Sequence, residues 1–262
     1  MLKTENRITI KGIVTNFKPG ETKQTKKKKA DMIFRVLDNG TESYIRGVLY
    51  DRKNLKINKE DTTLGALESF FLDKNNNNKS RNVKVYIYGN CDEFVNDKGE
   101  LYENHTVNGL YTSEDEDDYA TFNITGFVDA VNKVEDDEDE LEFIKIKIGF
   151  YSYRNKQDEV SGVQYKTVYV RGEKMLEKFE DVNKGDYIEV KGDIISSLSK
   201  KDKYGDYMND GVREYQVHGG IIRKSQEDVE KCDQQLYKEA KKLKQGDKNL
   251  IVKDFASNED DE

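Results

Sequence analysis

The sequence predicts a mainly β protein built as two tandem five-stranded barrels, with a helix and an acidic tail at its C-terminal end. Three observations predict it. Runs of alternating apolar and polar residues recur along the chain, and period two is the mark of a half-buried strand. Tyr (16) and Phe (11) are plentiful while Pro occurs once, a balance that suits strands. Four short glycine-containing segments occur twice in the same order, which marks an internal repeat.

Length and composition bound the rest. A chain of 262 residues can bury two cores. Charged residues make up 37% and apolar residues 35%, so each unit is small and wet. No run of 18 apolar residues occurs, so no membrane helix is expected. The opening Met1 to Asn6 lacks the apolar core of a signal peptide, so a cytoplasmic protein is expected. Cys91 and Cys232 are far apart and show no metal-ligand spacing, so both are read as reduced thiols. The net charge is −8, but it is unevenly spread. Residues 1–113 carry 20 basic and 15 acidic side chains, and residues 114–118 are five acids. A local basic groove is compatible with that distribution.

The first unit spans residues 1–113. Ile8 to Phe17 alternates as a strand interrupted by Gly12. A loop from Lys18 to Asp31 follows, with Pro19-Gly20 and the run Lys26 to Lys29. Met32 to Asp38 is the second strand, and Asn39-Gly40 is a strong hairpin turn. Tyr44 to Tyr50 is the third. Residues 51–81 read as an irregular insertion, with Leu64 to Leu72 as a short helix and Asn75 to Asn78 as a low-complexity loop. Val83 to Gly89 and Thr106 to Tyr111 are the fourth and fifth strands.

Residues 114–118 read as a solvated acidic linker, and the order then repeats in a second unit over 119–224. Phe122 to Val131 is a strand containing Gly126, and Glu135 to Glu140 an acidic loop. Leu141 to Tyr151 and Tyr165 to Arg171 are strands. Glu173 to Asp181 places Met175, Leu176 and Phe179 at helical spacing. Lys184-Gly185-Asp186 is turn chemistry, because Gly accepts φ > 0 and Asp can bond the backbone just after it, and it runs straight into the alternating strand Tyr187 to Ile195. Gly192 marks a bend or a close backbone approach there. Lys200 to Gly211 is a polar hairpin tip, and Glu214 to Ile222 the fifth strand. Residues 225–262 comprise a helix, with Val229, Leu236, Ala240 and Leu243 apolar, and a disordered acidic tail.

The repeat is legible residue by residue. Ile10-Lys11-Gly12-Ile13-Val14 matches Ile124-Thr125-Gly126-Phe127-Val128. Ile45-Arg46-Gly47 matches Val170-Arg171-Gly172. Ile87-Tyr88-Gly89-Asn90 matches Val190-Lys191-Gly192-Asp193, and Val107-Asn108-Gly109 matches Val217-His218-Gly219. The differing offsets put the length changes in loops.

Five strands with a helical or irregular piece between the third and fourth is the OB-fold order. A Greek-key sandwich needs about seven strands per unit. Lys184-Gly185-Asp186 leading to Val190-Lys191-Gly192, with Gly126-Phe127-Val128 and the Val168 to Gly172 segment, resembles the single-stranded-DNA-binding protein (SSB) family, its phage-encoded members especially. The resemblance implies coating of single-stranded DNA during replication or recombination, in the host cytoplasm for a phage protein. It implies no catalysis, no metal and no cofactor. Typical bacterial members carry one OB-fold per chain and form tetramers, so two repeats imply a monomer or dimer. Those members place Trp on the binding face, and this chain has none. Their tails end in acids followed by Phe; here Asp254-Phe255 precedes the acids. The tail is either solubilising, or a docking peptide for replication or recombination proteins, or a competitor for the basic groove.

Strand parity defines the candidate surface. In the second unit Ile144, Ile146 and Ile148 point inward, while Phe143, Lys145, Lys147 and Tyr151 point outward. On the next strand Val168 and Val170 face in, leaving Tyr165, Tyr169 and Arg171 outside. In the first unit Ile45 and Leu49 face in; Tyr44, Arg46, Tyr50 and Arg35 face out. The hairpin tip adds Lys201, Lys203 and Tyr204. A single nucleic-acid strand offers phosphates, which attract cations, and unstacked bases, which lie on aromatic faces. The rings are candidates for stacking and the cations for phosphates. Alternatively, Tyr and Lys are ordinary outer-face strand residues.

Other function classes leave different marks. The only histidines, His105 and His218, lie on or beside predicted fifth strands, and no nucleophile–base constellation, metal cluster or phosphate-cradling loop occurs, so an enzyme is not expected. An OB-fold also serves as a structural or assembly adaptor in phage particles or protein complexes, which is the alternative function. Such a module would show apolar patches rather than a cationic aromatic stripe. RNA binding needs the same groove chemistry as DNA binding.

Overall fold

A computed structural model describes residues 2–22, 25–38, 40–51, 55–75, 84–95, 101–138, 140–154, 159–196, 213–225, 229–243 and 251–252. The alternating runs form strands because one side of each is apolar and buried. In β1 (Glu5–Glu21) the buried side is Ile8, Ile10 and Val14. β2 (Lys28–Asp38) buries Ala30, Met32, Phe34 and Val36, and β3 (Thr41–Tyr50) buries Ile45 and Leu49. β6 (Lys84–Val95) contributes Val85 and Ile87, and β7 (Leu101–Thr112) contributes Val107 and Leu110.

These strands close on themselves. β1 pairs antiparallel with both β2 and β6, β2 with β3, and β6 with β7. The last seam is parallel, Val48 of β3 against Thr106 of β7. The second unit repeats the circuit with β8 (Tyr119–Glu135), β9 (Leu141–Arg154), β10 (Glu159–Arg171), β11 (Tyr187–Ser196) and β12 (Arg213–Arg223). β8 pairs with β9 and β11, β9 with β10, and β11 with β12. The parallel seam joins β10 to β12 at Tyr169↔Gln216 and Val170↔Val217. Both barrels therefore have the OB-fold strand order that the sequence predicts.

The repeated glycines have a shared physical reason. A Cβ on Gly12 would lie 2.4 Å from the Arg35 carbonyl oxygen, and one on its counterpart Gly126 would lie 2.3 Å from that of Gly149. Gly89 and its counterpart Gly192 face the Thr106 and Gln216 carbonyls at 2.1 and 1.8 Å. Register shifts fall beside each, at Val14/Asn16 and Val128/Ala130, then at Tyr88/Gly89 and Lys191/Gly192. The bulges bend the strands so that a small sheet can close.

The connections follow local chemistry. Gly185 has φ +97°, and Asp186 is buried beside it. The Asp186 carboxylate accepts from the backbone N–H of Asn183, before it in the chain, and from that of Ser225, both at 2.9 Å. Helix α1 (Leu64–Phe71) begins at Thr63, whose hydroxyl accepts from the Ala66 N–H. Helix α2 (Glu173–Phe179) sits between the third and fourth strands of the second barrel, burying Phe179. Part of the insertion read as irregular is a short hairpin, β4 (Lys56–Ile57) and β5 (Glu60–Asp61). Asn58 and Lys59 turn it with φ 50° and 72°, and two-residue strands carry no periodicity to read.

The barrels share a sheet and a core. Residues 5–11 of β1 pair antiparallel with residues 119–125 of β8, and Tyr165 of β10 pairs with Glu93 of β6. Tyr215 is fully buried between the barrels, donating to the Cys91 thiol at 2.9 Å and sharing a hydrogen bond with His105. The Lys166 ammonium lies 3.6 Å from the centre of its ring. His105 is thus a core residue. The acidic stretch read as solvated is partly held down: Asp115 pairs with Lys11 and Asp118 with Lys84, both at 2.7 Å.

Helix α3 (Lys231–Ala240) packs Tyr237 and Ala240 against Phe127, Tyr151, Val160 and Tyr187 in a second, smaller core. Its buried side also carries Asp233, whose carboxylate accepts from the Leu2 N–H at 2.9 Å. Beyond it, β13 (Ile251–Val252) pairs with Val160 and Glu159, where the sequence reading places a disordered tail. Residues 253–262 lie outside the described residues.

Candidate nucleic-acid interface

The outer face of the second barrel is built by cross-strand pairing of β9 and β10. Phe143 pairs with Arg171 and Lys145 with Tyr169, and Tyr165 sits diagonally from Lys147. Side chains on one face of neighbouring strands touch at such positions. Rings and cations alternate as a result. Arg171 lies 4.3 Å over the Phe143 ring, Lys145 lies 5.4 Å from Phe143 and 5.6 Å from Tyr169, and Lys147 lies 4.3 Å from Tyr165. The Phe143 and Tyr169 rings are 6.2 Å apart.

The cations on this face differ in what else holds them. Glu214 grips Arg171 with two hydrogen bonds, at 3.0 and 2.9 Å, and Glu142 lies 3.5 Å away. The hydrogen bonds to Glu214 raise the Arg171 pKa further, so its charge is fixed. Lys147 lies 4.0 Å from Asp129, which also pairs with Lys241 just past α3. Burial pushes the Tyr165 phenol pKa up, and the Asp129 charge adds to it, so that hydroxyl stays neutral. Among the described residues Lys145 meets no carboxylate at ion-pair distance, which leaves it the cation most available to a phosphate.

Tyr151 departs from the expected arrangement. It is on the outer side of β9, as parity requires, but it is only 4% exposed. Tyr237 of α3 covers it, with ring centres 6.3 Å apart, and Phe127 flanks it at 6.2 Å. Gly149 makes room, since a Cβ there would lie 1.9 Å from the Tyr237 hydroxyl. Tyr151 is therefore a packing residue beneath α3, not an open stacking platform. Strand parity tells inside from outside but cannot show that a distant helix returns to cover the outside.

The first barrel presents its candidates across β2 and β3. Arg35 pairs with Tyr44, Ile33 with Arg46 and Lys29 with Tyr50. Arg46 is exposed, and Tyr44 and Tyr50 are half-buried. Arg35 lies 3.8 Å from Glu42. From the lysine run, Lys27 lies 5.7 Å over the Tyr50 ring, and Lys29 is paired with Asp31 at 2.7 Å. Ile33 and Val48, both half-buried, share this face. Lys201, Lys203 and Tyr204 lie outside the described residues.

A set of rings on the first barrel escaped the sequence reading. Tyr86 and Tyr88 of β6 lie 5.9 and 6.2 Å from Tyr111 of β7. Lys11 of β1 lies 5.7 Å over Tyr119 of β8. Their register runs Tyr111, Tyr86, Lys11, Tyr119 across four adjacent strands of both barrels. The signal was the alternation of Tyr86 and Tyr88 with Val85 and Ile87. The pairing of β1 with β8 that joins the row has none.

The solved structures place this architecture. The wild-type single-stranded DNA binding protein from Thermus aquaticus superposes with a TM-score of 0.55, covering 85% of this chain and 94% of that one at 10% identity. The two folds match. A deletion mutant of the same Thermus aquaticus protein gives 0.54 over 86% and 96% at 12% identity. No protein-family model and no curated protein matches the sequence. Among the described residues no helix is long and apolar enough to cross a membrane.

Proposed function

We propose that this chain binds single-stranded DNA with little regard to sequence, coating and protecting exposed strands. The alternation of rings and cations on β9 and β10 carries this reading. Phe143, Tyr165 and Tyr169 offer stacking faces, which accept any base because every base has a π-face. Lys145, with Lys147 and Arg171 behind it, neutralises the phosphates between them. Tyr44, Tyr50, Arg35 and Arg46 extend the path onto the first barrel. The likeness to the Thermus aquaticus protein supports the same reading. Its setting is DNA replication or recombination, for a phage-type protein in the host cytoplasm. The chain acts as a monomer or dimer, and its acidic tail is the docking point for other replication or recombination proteins.

The test is fluorescence anisotropy with labelled oligo-dT of about 35 nucleotides, at low and moderate salt, beside matching duplex and RNA. The expected result is tight single-strand binding, weaker duplex binding and a steep loss with salt. Flat anisotropy at micromolar protein and low salt overturns the reading.

A further inference from the structure

A groove of about 840 Å³ opens between the two barrels. That volume falls within the range of about 300–1,000 Å³ typical of small-ligand sites. One wall is the start of β1 with the facing parts of β6 and β7; the other is the end of β9 and the middle of β10. Gln164 lies in this second wall, next in the chain to Tyr165 but on the opposite side of β10 from it.

The lining has the parts a nucleotide needs. Lys3 and Arg7 are exposed on one side of the N-terminal segment with Glu5 exposed between them, and among the described residues neither cation is in an ion pair. This sets them apart from Lys147 and Arg171, whose carboxylates a phosphate would have to displace. Tyr88 supplies a half-buried ring, held against Gly109, where a Cβ would come within 2.2 Å of it. Asn90 and Asn108, joined at 3.0 Å, stand beside it with Gln164 across the groove. Side-chain amides both donate and accept, so they can meet the polar edge of any base.

We propose that this groove binds one nucleotide of the same DNA strand, with its base on Tyr88 and its flanking phosphates on Arg7 and Lys3. The proposal rests on the single-strand reading and adds the groove between the barrels to its footprint.

The test compares the full chain with Lys3→Gln/Arg7→Gln and with Tyr88→Ala, titrated with oligo-dT of about 8 and about 35 nucleotides. A short strand fits one barrel, and a long one reaches the groove. The charge variant should lose about tenfold on the long strand and little on the short one. Its salt slope should fall by roughly 1.4, at about 0.7 per lost single-strand phosphate contact. A 5-iodouracil oligonucleotide should crosslink to Tyr88 in the wild type, a readout that does not depend on Tyr88→Ala folding. If the wild type binds the long strand, but the charge variant matches it in affinity and slope and no crosslink maps to Tyr88, the groove reading is wrong and the single-strand reading stands. If the wild type binds neither length, both fall.

Discussion

The Lys147 ammonium lies 4.3 Å from the centre of the Tyr165 ring. The ammonium covers one face of the ring, so a base stacks on Tyr165 at its other face or by displacing Lys147. Replacing Tyr165 and Tyr169 with Ala should weaken oligo-dT binding by about 2–6 kcal/mol if both stack. Anisotropy measures the loss, and circular dichroism should show an unchanged fold. Unaltered affinity with the fold intact would remove this surface from the binding path.

Arg171 and Lys145 should part company. Arg171 holds Glu214, so Arg171→Ala leaves a largely buried carboxylate alone and should cost on the order of 1–3 kcal/mol of stability as well as affinity. Lys145→Ala should leave the urea midpoint near that of the wild type and lower the salt slope by about 0.7. Equal urea midpoints for the two variants would contradict the structural role of Arg171.

Tyr237 should matter for stability out of proportion to its place near the C-terminus. It stacks on Phe127 at 4.5 Å and covers Tyr151. Tyr237→Ala should cost about 3–5 kcal/mol, the usual range for a large buried ring. A thermal melt equal to wild type would mean that α3 does not stay on the barrel.

Gly192→Ala should destabilise by about 1–3 kcal/mol or more, because its Cβ would lie 1.8 Å from the Gln216 carbonyl oxygen and backbone must move. Gly20→Ala is the control, with nothing within 4 Å of the added atom. Equal denaturation midpoints for the two variants would rule out the close approach.

Asp193 gives a pH test. Burial raises its carboxyl pKa, His218 at 3.1 Å pulls it back, and Asp38 pushes it up again. A raised folded pKa means that the folded state keeps this proton at a pH where the unfolded chain has released it. Ionised Asp193 thus opposes folding at neutral pH, and the opposition fades as pH falls through the folded pKa toward the unfolded value of about 3.9. Asp193→Asn should therefore raise the midpoint of urea unfolding at pH 7, with the gain shrinking on acidification. A gain that grows toward acid pH would reverse the sign assigned here.

Much of the fold was legible because the forces behind it are local. Alternation located ten barrel strands, since each buries one face. The repeat paired Gly12 with Gly126 and Gly89 with Gly192, and both pairs proved to meet a neighbouring strand's carbonyl. The sequence reading placed the bond from Asp186 after it in the chain. The carboxylate instead accepts from Asn183 before it and from distant Ser225. The candidate surface was legible in the same partial way. Parity put Phe143, Lys145, Lys147, Tyr165, Tyr169 and Arg171 on one face, and the register brings them into contact.

By itself the sequence determined which side of each strand is apolar, where the chain turns and that the pattern occurs twice. Those are properties of neighbours in the chain. Only the tertiary structure decided that β1 pairs with β8, that Tyr215 and His105 meet between the barrels, and that α3 covers Tyr151. It also decided which cations carry carboxylates and that Lys3, Arg7 and Tyr88 line one groove. Each depends on residues far apart in the chain, whose meeting is set by barrel closure and packing rather than by any local preference.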